Sequence, residues 1–97
     1  MILEWAPRAV SDLTRLHDYL APVAPDAAQR TMERLGDAPR KLLDFPRIGS
    51  QLDGYLPREV RRIIVGDYEL RYEIVDATIY VLRVWHCREN RSFTPDD

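Results

Sequence analysis

Three runs decide the fold: Arg58-Glu59-Val60-Arg61-Arg62-Ile63-Ile64-Val65, Tyr68-Glu69-Leu70-Arg71-Tyr72-Glu73-Ile74, and Ile79-Tyr80-Val81-Leu82-Arg83-Val84-Trp85-His86. They read as consecutive strands, rich in β-branched and aromatic residues. Gly66-Asp67 and Asp76-Ala77-Thr78 between them carry turn chemistry. Links this short permit only antiparallel pairing. In the middle run Tyr68, Leu70, Tyr72 and Ile74 alternate with Glu69, Arg71, Glu73 and Val75, which predicts one buried and one wet face. In the last run Tyr80, Leu82, Val84 and His86 are expected on one face, with Ile79, Val81, Arg83 and Trp85 on the other.

Upstream, residues 45–57 hold Phe45-Pro46, Gly49, Gly54 and Pro57 and read as a loop into the sheet. Before that loop lie two helices. Pro7 suits a first helical turn. Val10, Leu13, Leu16 and Leu20 then keep helical spacing, with Arg8, Asp12, Arg15 and Asp18 on other faces. Pro22 forces an end, because proline denies its preceding residue the helical conformation. A second helix opens at Pro25-Asp26, with Ala28, Met32, Leu35, Leu42 and Phe45 as its apolar stripe. Gly36 and Pro39 predict a kink or break, since an internal proline removes a hydrogen bond and clashes with the turn before it. Residues 2–5 read as a short first strand. The order β-α-α-β-β-β predicts an α+β fold, a helical hairpin packed on a small antiparallel sheet.

A chain of 97 residues with 45% hydrophobic content makes a single domain, residues 1–97, with one modest core. Cys87 is the only cysteine, so no internal disulfide forms and a reducing cytoplasm fits. Met1-Ile2-Leu3-Glu4-Trp5 lacks the pattern of a signal peptide, and no run approaches the ~20 apolar residues of a membrane span. Fourteen basic residues face 16 acidic ones, a net charge of −2, which argues against a general nucleic-acid binder. Lys41 is nevertheless the only lysine, and Arg58, Arg61, Arg62, Arg71, Arg83, Arg88 and Arg91 crowd into the sheet half. Arginine suits bidentate contact with phosphate or carboxylate.

His17, His86 and Cys87 do not have metal-ligand spacing, and no cofactor motif is present; the expectation is no metal and no cofactor. His17 reads as a boundary residue beside the core. His86 closes the last strand beside Arg88 and Arg91. Histidine trades protons near neutral pH and arginine stabilises a pentacovalent phosphate, so these residues suit RNA cleavage. The structural alternative has His86 capping the sheet edge. Glu59 with its arginines is either a general base or part of a solvated face with pairs such as Arg62 with Glu69 or Glu73. Tyr68, Tyr72 and Trp85 read as packing residues rather than a base-stacking platform.

Several phrases taken in order resemble a known family. They are Ala9-Val10-Ser11-Asp12-Leu13 with Tyr19, Pro25-Asp26-Ala27-Ala28, Leu42-Leu43-Asp44-Phe45-Pro46-Arg47-Ile48-Gly49, Arg58-Glu59-Val60, Tyr68-Glu69-Leu70-Arg71-Tyr72 and Val84-Trp85-His86-Cys87-Arg88. Together they are similar to the RelE/ParE superfamily of toxins from bacterial type II toxin–antitoxin modules. The resemblance implies a cytoplasmic toxin bound by a cognate antitoxin in a hetero-oligomer. RelE-like members cleave mRNA on the ribosome; on that branch Arg62, His86 and Arg88 resemble the catalytic positions. ParE-like members inhibit DNA gyrase; on that branch Arg58, Arg61, Arg71, Arg83, Trp85 and Arg91 are candidates for contacts with target or antitoxin. Glu69 stands where the RNase branch often has Arg, Phe93 falls near a catalytic Tyr, and the chain is acidic. The reading favoured here is ParE-like, with a RelE-like endoribonuclease as the alternative and an antitoxin-binding relic as a third. Ile79, Val81 and Trp85 opposite Tyr80, Leu82 and Val84 make the last strand apolar on both faces, which predicts an antitoxin-covered surface there.

Overall fold

The computed structural model describes residues 1–89. Strand β1 (Ile2–Trp5) leads into α1 (Pro7–Leu20) and α2 (Pro25–Asp37). A 3-10 segment, Ala38–Leu43, follows, then β2 (Ser50–Gln51), a 3-10 turn at Asp53–Tyr55, β3 (Glu59–Val65), β4 (Tyr68–Val75) and β5 (Thr78–His86). Both α-helices start on a proline, which gives up an amide that no helix would pair there. The predicted break in the second helix is real: the α-helix stops at Asp37 and Pro39 sits in the first turn of the tighter 3-10 segment.

The five strands lie in the order β1-β5-β4-β3-β2. Consecutive strands β3, β4 and β5 pair antiparallel, as read from the sequence. Two features differ from that reading. β1 runs parallel to β5, because the helical hairpin carries the chain back across the sheet. The loop before β3 also contributes a two-residue edge strand, Ser50 and Gln51 opposite Arg62 and Arg61.

A β-bulge overturns the face assignment on β5. Arg71 opposes Arg83 but Tyr72 opposes Val81, which leaves Leu82 as the extra residue. The alternation therefore flips. Ile79 and Val81 face the helices before the bulge and Val84 faces them after it, beside Leu70, Tyr72 and Ile74. Ala9 and Leu16 of α1, Leu35 of α2 and Leu42 complete this core. Ile79, Val81, Val84 and Trp85 are all buried, so β5 is not the open apolar surface predicted for an antitoxin.

Other positions need correction. Val10 is half exposed while Asp12 takes its place on the buried side of α1. Phe45 points outward, and His17 is exposed beside Asp18 (Nδ1 to Oδ1 3.3 Å) rather than at the core boundary. Asp12 is buried because β1 ends at Trp5, opposite Val81, and leaves the rest of β5 without a strand on that side. The Asp12 carboxylate fills that gap. Its Oδ2 accepts the Val84 amide at 2.9 Å, while Arg15 donates to the Val84 carbonyl at 3.4 Å. Side chains thus satisfy an edge that would otherwise offer its backbone to another chain.

Candidate functional site

The sheet face turned away from the helices follows from the register. Val60, Arg62 and Ile64 lie across from Glu73, Arg71 and Glu69, and these from Tyr80, Arg83 and Trp85. This face is not simply wet. Tyr55, on the turn before β3, is buried, as are Val60 and Trp85, and they form a second small layer outside the main core.

Trp85 organises the layer. Its ring carries two guanidinium groups, Arg71 at 4.5 Å and Arg83 at 4.7 Å from the ring centroid. Both are within cation–π range. Arg71 also donates to Glu69 at 2.8 Å and to the Tyr55 hydroxyl at 3.0 Å. Glu69 accepts a second contact from Arg62 at 3.3 Å. Arg58 forks onto Glu73 with bonds of 3.0 and 2.9 Å and lies over the Tyr55 ring at 5.6 Å. Arg83 reaches round the strand edge to Asp12 at 2.8 and 3.2 Å. Each arginine of this face is thereby matched to a carboxylate. The carboxylate of Glu69 is only 2% exposed and survives burial because two guanidinium groups serve it.

The residues expected to act together are divided by the sheet. Arg62, Arg71, Arg83 and Trp85 share the outer face, and Arg58 joins them from the preceding turn. Arg61 alternates to the helix side, where it bonds Glu59 at 2.9 Å and the Gly49 carbonyl at 2.8 Å. His86 also lies on the helix side, opposite Tyr68, its ring edge-on to that tyrosine at 5.2 Å. Its Nδ1 accepts the Arg88 amide at 3.1 Å, so Arg88 is placed in the turn after β5. The set Arg62, His86 and Arg88 therefore does not gather on one face. Arg91 and Phe93 lie outside the described residues.

Glu59 makes a poor general base. Bonds from Arg47 at 2.8 and 2.9 Å, with Arg61 beside it, hold its carboxyl below the ordinary carboxylate range. An acid that ionises so readily gives little drive for proton abstraction at neutral pH. Burial pushes the Tyr72 phenol above its usual range; its hydroxyl donates to the Pro46 carbonyl at 2.8 Å and accepts the Gly49 amide at 3.0 Å. Tyr68 and Tyr72 sit on the core side, away from Trp85, in keeping with a packing role. Among the described residues no group of three His, Cys, Asp or Glu converges as metal ligands. No helix among them is long and apolar enough to cross a membrane.

Accessibility separates the arginines further. The side chains of Arg71 and Arg83 are each 13% exposed, so they hold the layer together, and Trp85 is 4% exposed. Arg58 and Arg62 remain reachable, and around them Ile64 is 57% and Tyr80 37% exposed. Sequence reading missed Asp12 and Tyr55 as members of this arrangement, while Glu69 was anticipated as a partner of Arg62. Asp12 had a visible signal: it falls three after Ala9 and four before Leu16, on the buried stripe of α1. Tyr55 had none, lying in a loop whose return over the sheet no local pattern encodes.

The comparisons with known proteins agree with this architecture. The profile of a family described as ParE toxin of type II toxin-antitoxin system, parDE, matches residues 3–91. Toxin RelE2 of Caulobacter vibrioides is 35% identical over 82 residues, spanning 84% of this chain and 90% of that protein. Among solved structures, a chain of the chromosomal ParDE TA system from P. aeruginosa superposes with a TM-score of 0.75 at 19% identity, covering 89% of this chain and 95% of that one. The isolated E. coli RelE toxin superposes at 0.60 with 21% identity, over 94% and 86% of the two chains. These two likenesses concern the fold.

Proposed function

Because the chain belongs to the ParE/RelE superfamily of type II toxins, we propose that it arrests growth by binding DNA gyrase through protein contacts, and that a cognate antitoxin silences it in a cytoplasmic hetero-oligomer. The observation that carries this reading is the pairing of the outer-face arginines with carboxylates. A surface for RNA offers cations free to neutralise phosphates. Here Glu69, Glu73 and Asp12 already occupy Arg58, Arg62, Arg71 and Arg83. What remains accessible is a mixed patch of Arg58, Arg62, Ile64 and Tyr80. Arginine and tyrosine among apolar groups are the composition of protein–protein interfaces. In this reading Arg58 and Arg62 touch the target, while Trp85, Arg71 and Arg83 position them.

The test is a supercoiling assay with purified gyrase and the purified chain. Inhibition that a co-purified antitoxin reverses is the expected result. His86→Ala is expected to leave growth arrest intact, since that residue serves the sheet end. Unaffected supercoiling by a folded chain, together with discrete mRNA cuts on translating ribosomes, would replace this reading by the endoribonuclease one. Expression of a folded chain with no growth arrest would leave an antitoxin-binding relic.

A further inference from the structure

Glu69 stands where an apolar residue would pack. On the outer face its cross-strand neighbours are Ile64 on β3 and Trp85 on β5, and its side chain is 2% exposed. Among the described residues the one other buried charged residue is Asp12. That carboxylate has a backbone duty at the β5 edge, where it accepts the Val84 amide. Glu69 turns to cations: Oε2 accepts Arg71 Nε at 2.8 Å and Oε1 accepts Arg62 Nη1 at 3.3 Å. An ion pair taken out of water gains little net stability, and apolar side chains of similar volume often serve as well or better. Packing between Ile64 and Trp85 therefore does not account for a carboxylate here. The charges around it do. Arg62, Arg71 and Arg83 stand opposite one another in a single row across β3, β4 and β5. Asp12 forks Arg83 at the end of that row, while Glu69 alone serves the other two. Its loss would leave Arg71 in place, over Trp85 at 4.5 Å and bonded to the Tyr55 hydroxyl at 3.0 Å, with Arg62 directly opposite.

We propose that Glu69 is the specificity-determining residue of the outer face: its carboxylate keeps polyanions off a row of arginines that would otherwise attract them, and reserves Arg62 for a protein partner. This deepens the protein-contact reading above and rests on it. A row of cations across a sheet is a track for phosphates unless a fixed negative charge interrupts it. A phosphodiester chain brings a charge at every step and meets Glu69 whenever it nears Arg62 or Arg71. Like charges set against each other are how an interface rejects a wrong partner. A protein surface with neutral acceptors and apolar groups meets no such repulsion. It can use Arg62, whose side chain is 47% exposed, together with Ile64.

Fluorescence anisotropy of the full chain with a labelled single-stranded oligothymidylate tests this. The parent is expected to bind weakly at low salt. Glu69→Gln keeps the shape and removes the charge, and should bind about tenfold more tightly or better. Its affinity should also fall more steeply with salt. With Arg62 and Arg71 each on a phosphate, the log–log slope steepens by about 1.4, at about 0.7 per contact on a single strand. Adding Arg62→Gln to that variant should remove about half of the extra slope. Glu73→Gln, which releases Arg58 alone, should gain less than Glu69→Gln does. Circular dichroism confirms that each variant is folded, and Glu69→Met, equally uncharged, carries the same test where the glutamine variant does not fold. The proposal is overturned if the folded uncharged variant binds no more tightly than the parent. It is equally overturned if the gain survives Arg62→Gln undiminished, which would put the oligonucleotide elsewhere on the chain. A parent that already binds tightly with a steep salt slope would overturn the protein-contact reading as well.

Discussion

Asp12→Ala tests whether a single carboxylate closes the edge of β5 and holds the outer layer. Its Oδ2 lies 2.8 Å from Arg83 Nε and 2.9 Å from the Val84 amide; its Oδ1 lies 3.2 Å from Arg83 Nη2 and 3.3 Å from Arg15 Nη2. Removing one partner of a buried ion pair costs about 3–5 kcal/mol. A buried amide left unsatisfied costs about 1–3 kcal/mol, and because the two share one acceptor they do not add fully. We expect Asp12→Ala to lose about 3–5 kcal/mol. Asp12→Asn keeps an acceptor for the Val84 amide and loses the charge, so about 1.5–3 kcal/mol is expected. For a domain of this size each kcal/mol lowers Tm by about 4–8 °C, so the alanine variant should melt at least ~12 °C below the parent. Urea unfolding gives the free energies, with the slope checked for constancy. A double-mutant cycle with Arg83→Ala should return a coupling of roughly 0.5–3 kcal/mol. An alanine variant within about 1 kcal/mol of the parent, below the penalty of a lost buried charge, would refute the argument; so would an asparagine variant as unstable as the alanine one.

Trp85→Ala removes the ring on which Arg71 and Arg83 lie and should cost about 3–5 kcal/mol in urea unfolding; a loss under about 1 kcal/mol would mean the outer layer contributes little packing. At Gly49 an added Cβ would meet the Arg62 carbonyl at 2.6 Å and the Tyr72 hydroxyl at 2.7 Å, so Gly49→Ala should destabilise by about 1–3 kcal/mol, read as a fall in Tm. Glu59 has a lowered folded-state pKa, because Arg47 and then Arg61 bond its ionised form. The stability it adds is fully present above its unfolded value of 4.5 and is lost as pH falls through the lower folded value. The difference in unfolding free energy between parent and Glu59→Gln should therefore shrink as the pH is lowered from 4.5, and a constant difference would show that the pairing is not linked to folding.

The strands and helices were legible because their periodicity is local. The prolines at positions 7, 22, 25 and 39 mark where helices begin, end or tighten without reference to anything distant. The bulge at Leu82 was not legible. An extra residue in one strand shows only against its partner, and Ile79 to Leu82 is apolar on both parities; Arg83, on the parity of Ile79 and Val81, was the one polar residue to hint at the flip. The parallel pairing of β1 was hidden for the same reason, since four residues carry no sign of which edge they join. On the candidate site, sequence showed which arginines crowd into the sheet half but not which carboxylates hold them. Arg62 with Glu69 was the one cross-strand pair anticipated that the structure contains. Arg61 differs from Arg62 by one position and so by a whole face, which separates it from the patch it was expected to join.

The paired state of the arginines bears on the choice between a nucleic acid and a protein as target. To place Arg71 on a phosphate, the chain would have to strip it from Glu69, whose carboxylate is 2% exposed, and from the Tyr55 hydroxyl. Uncovering a buried carboxylate in this way costs about 3–5 kcal/mol, which a single phosphate contact in water does not return. Moving Arg83 would likewise take from the buried Asp12 carboxylate its two-bond partner, leaving it Arg15 and the Val84 amide. Arg62 can turn toward a partner while its neighbours stay in place, since Glu69 keeps Arg71 when Arg62 leaves; Arg58 is reachable while it stays forked on Glu73. Two reachable cations beside Ile64 and Tyr80 suit a small, specific contact better than a track for a polyanion. Such a contact predicts a shallow salt dependence for target binding, near the value for two charges, where a phosphate-tracking surface would give a slope that grows with every arginine on the face.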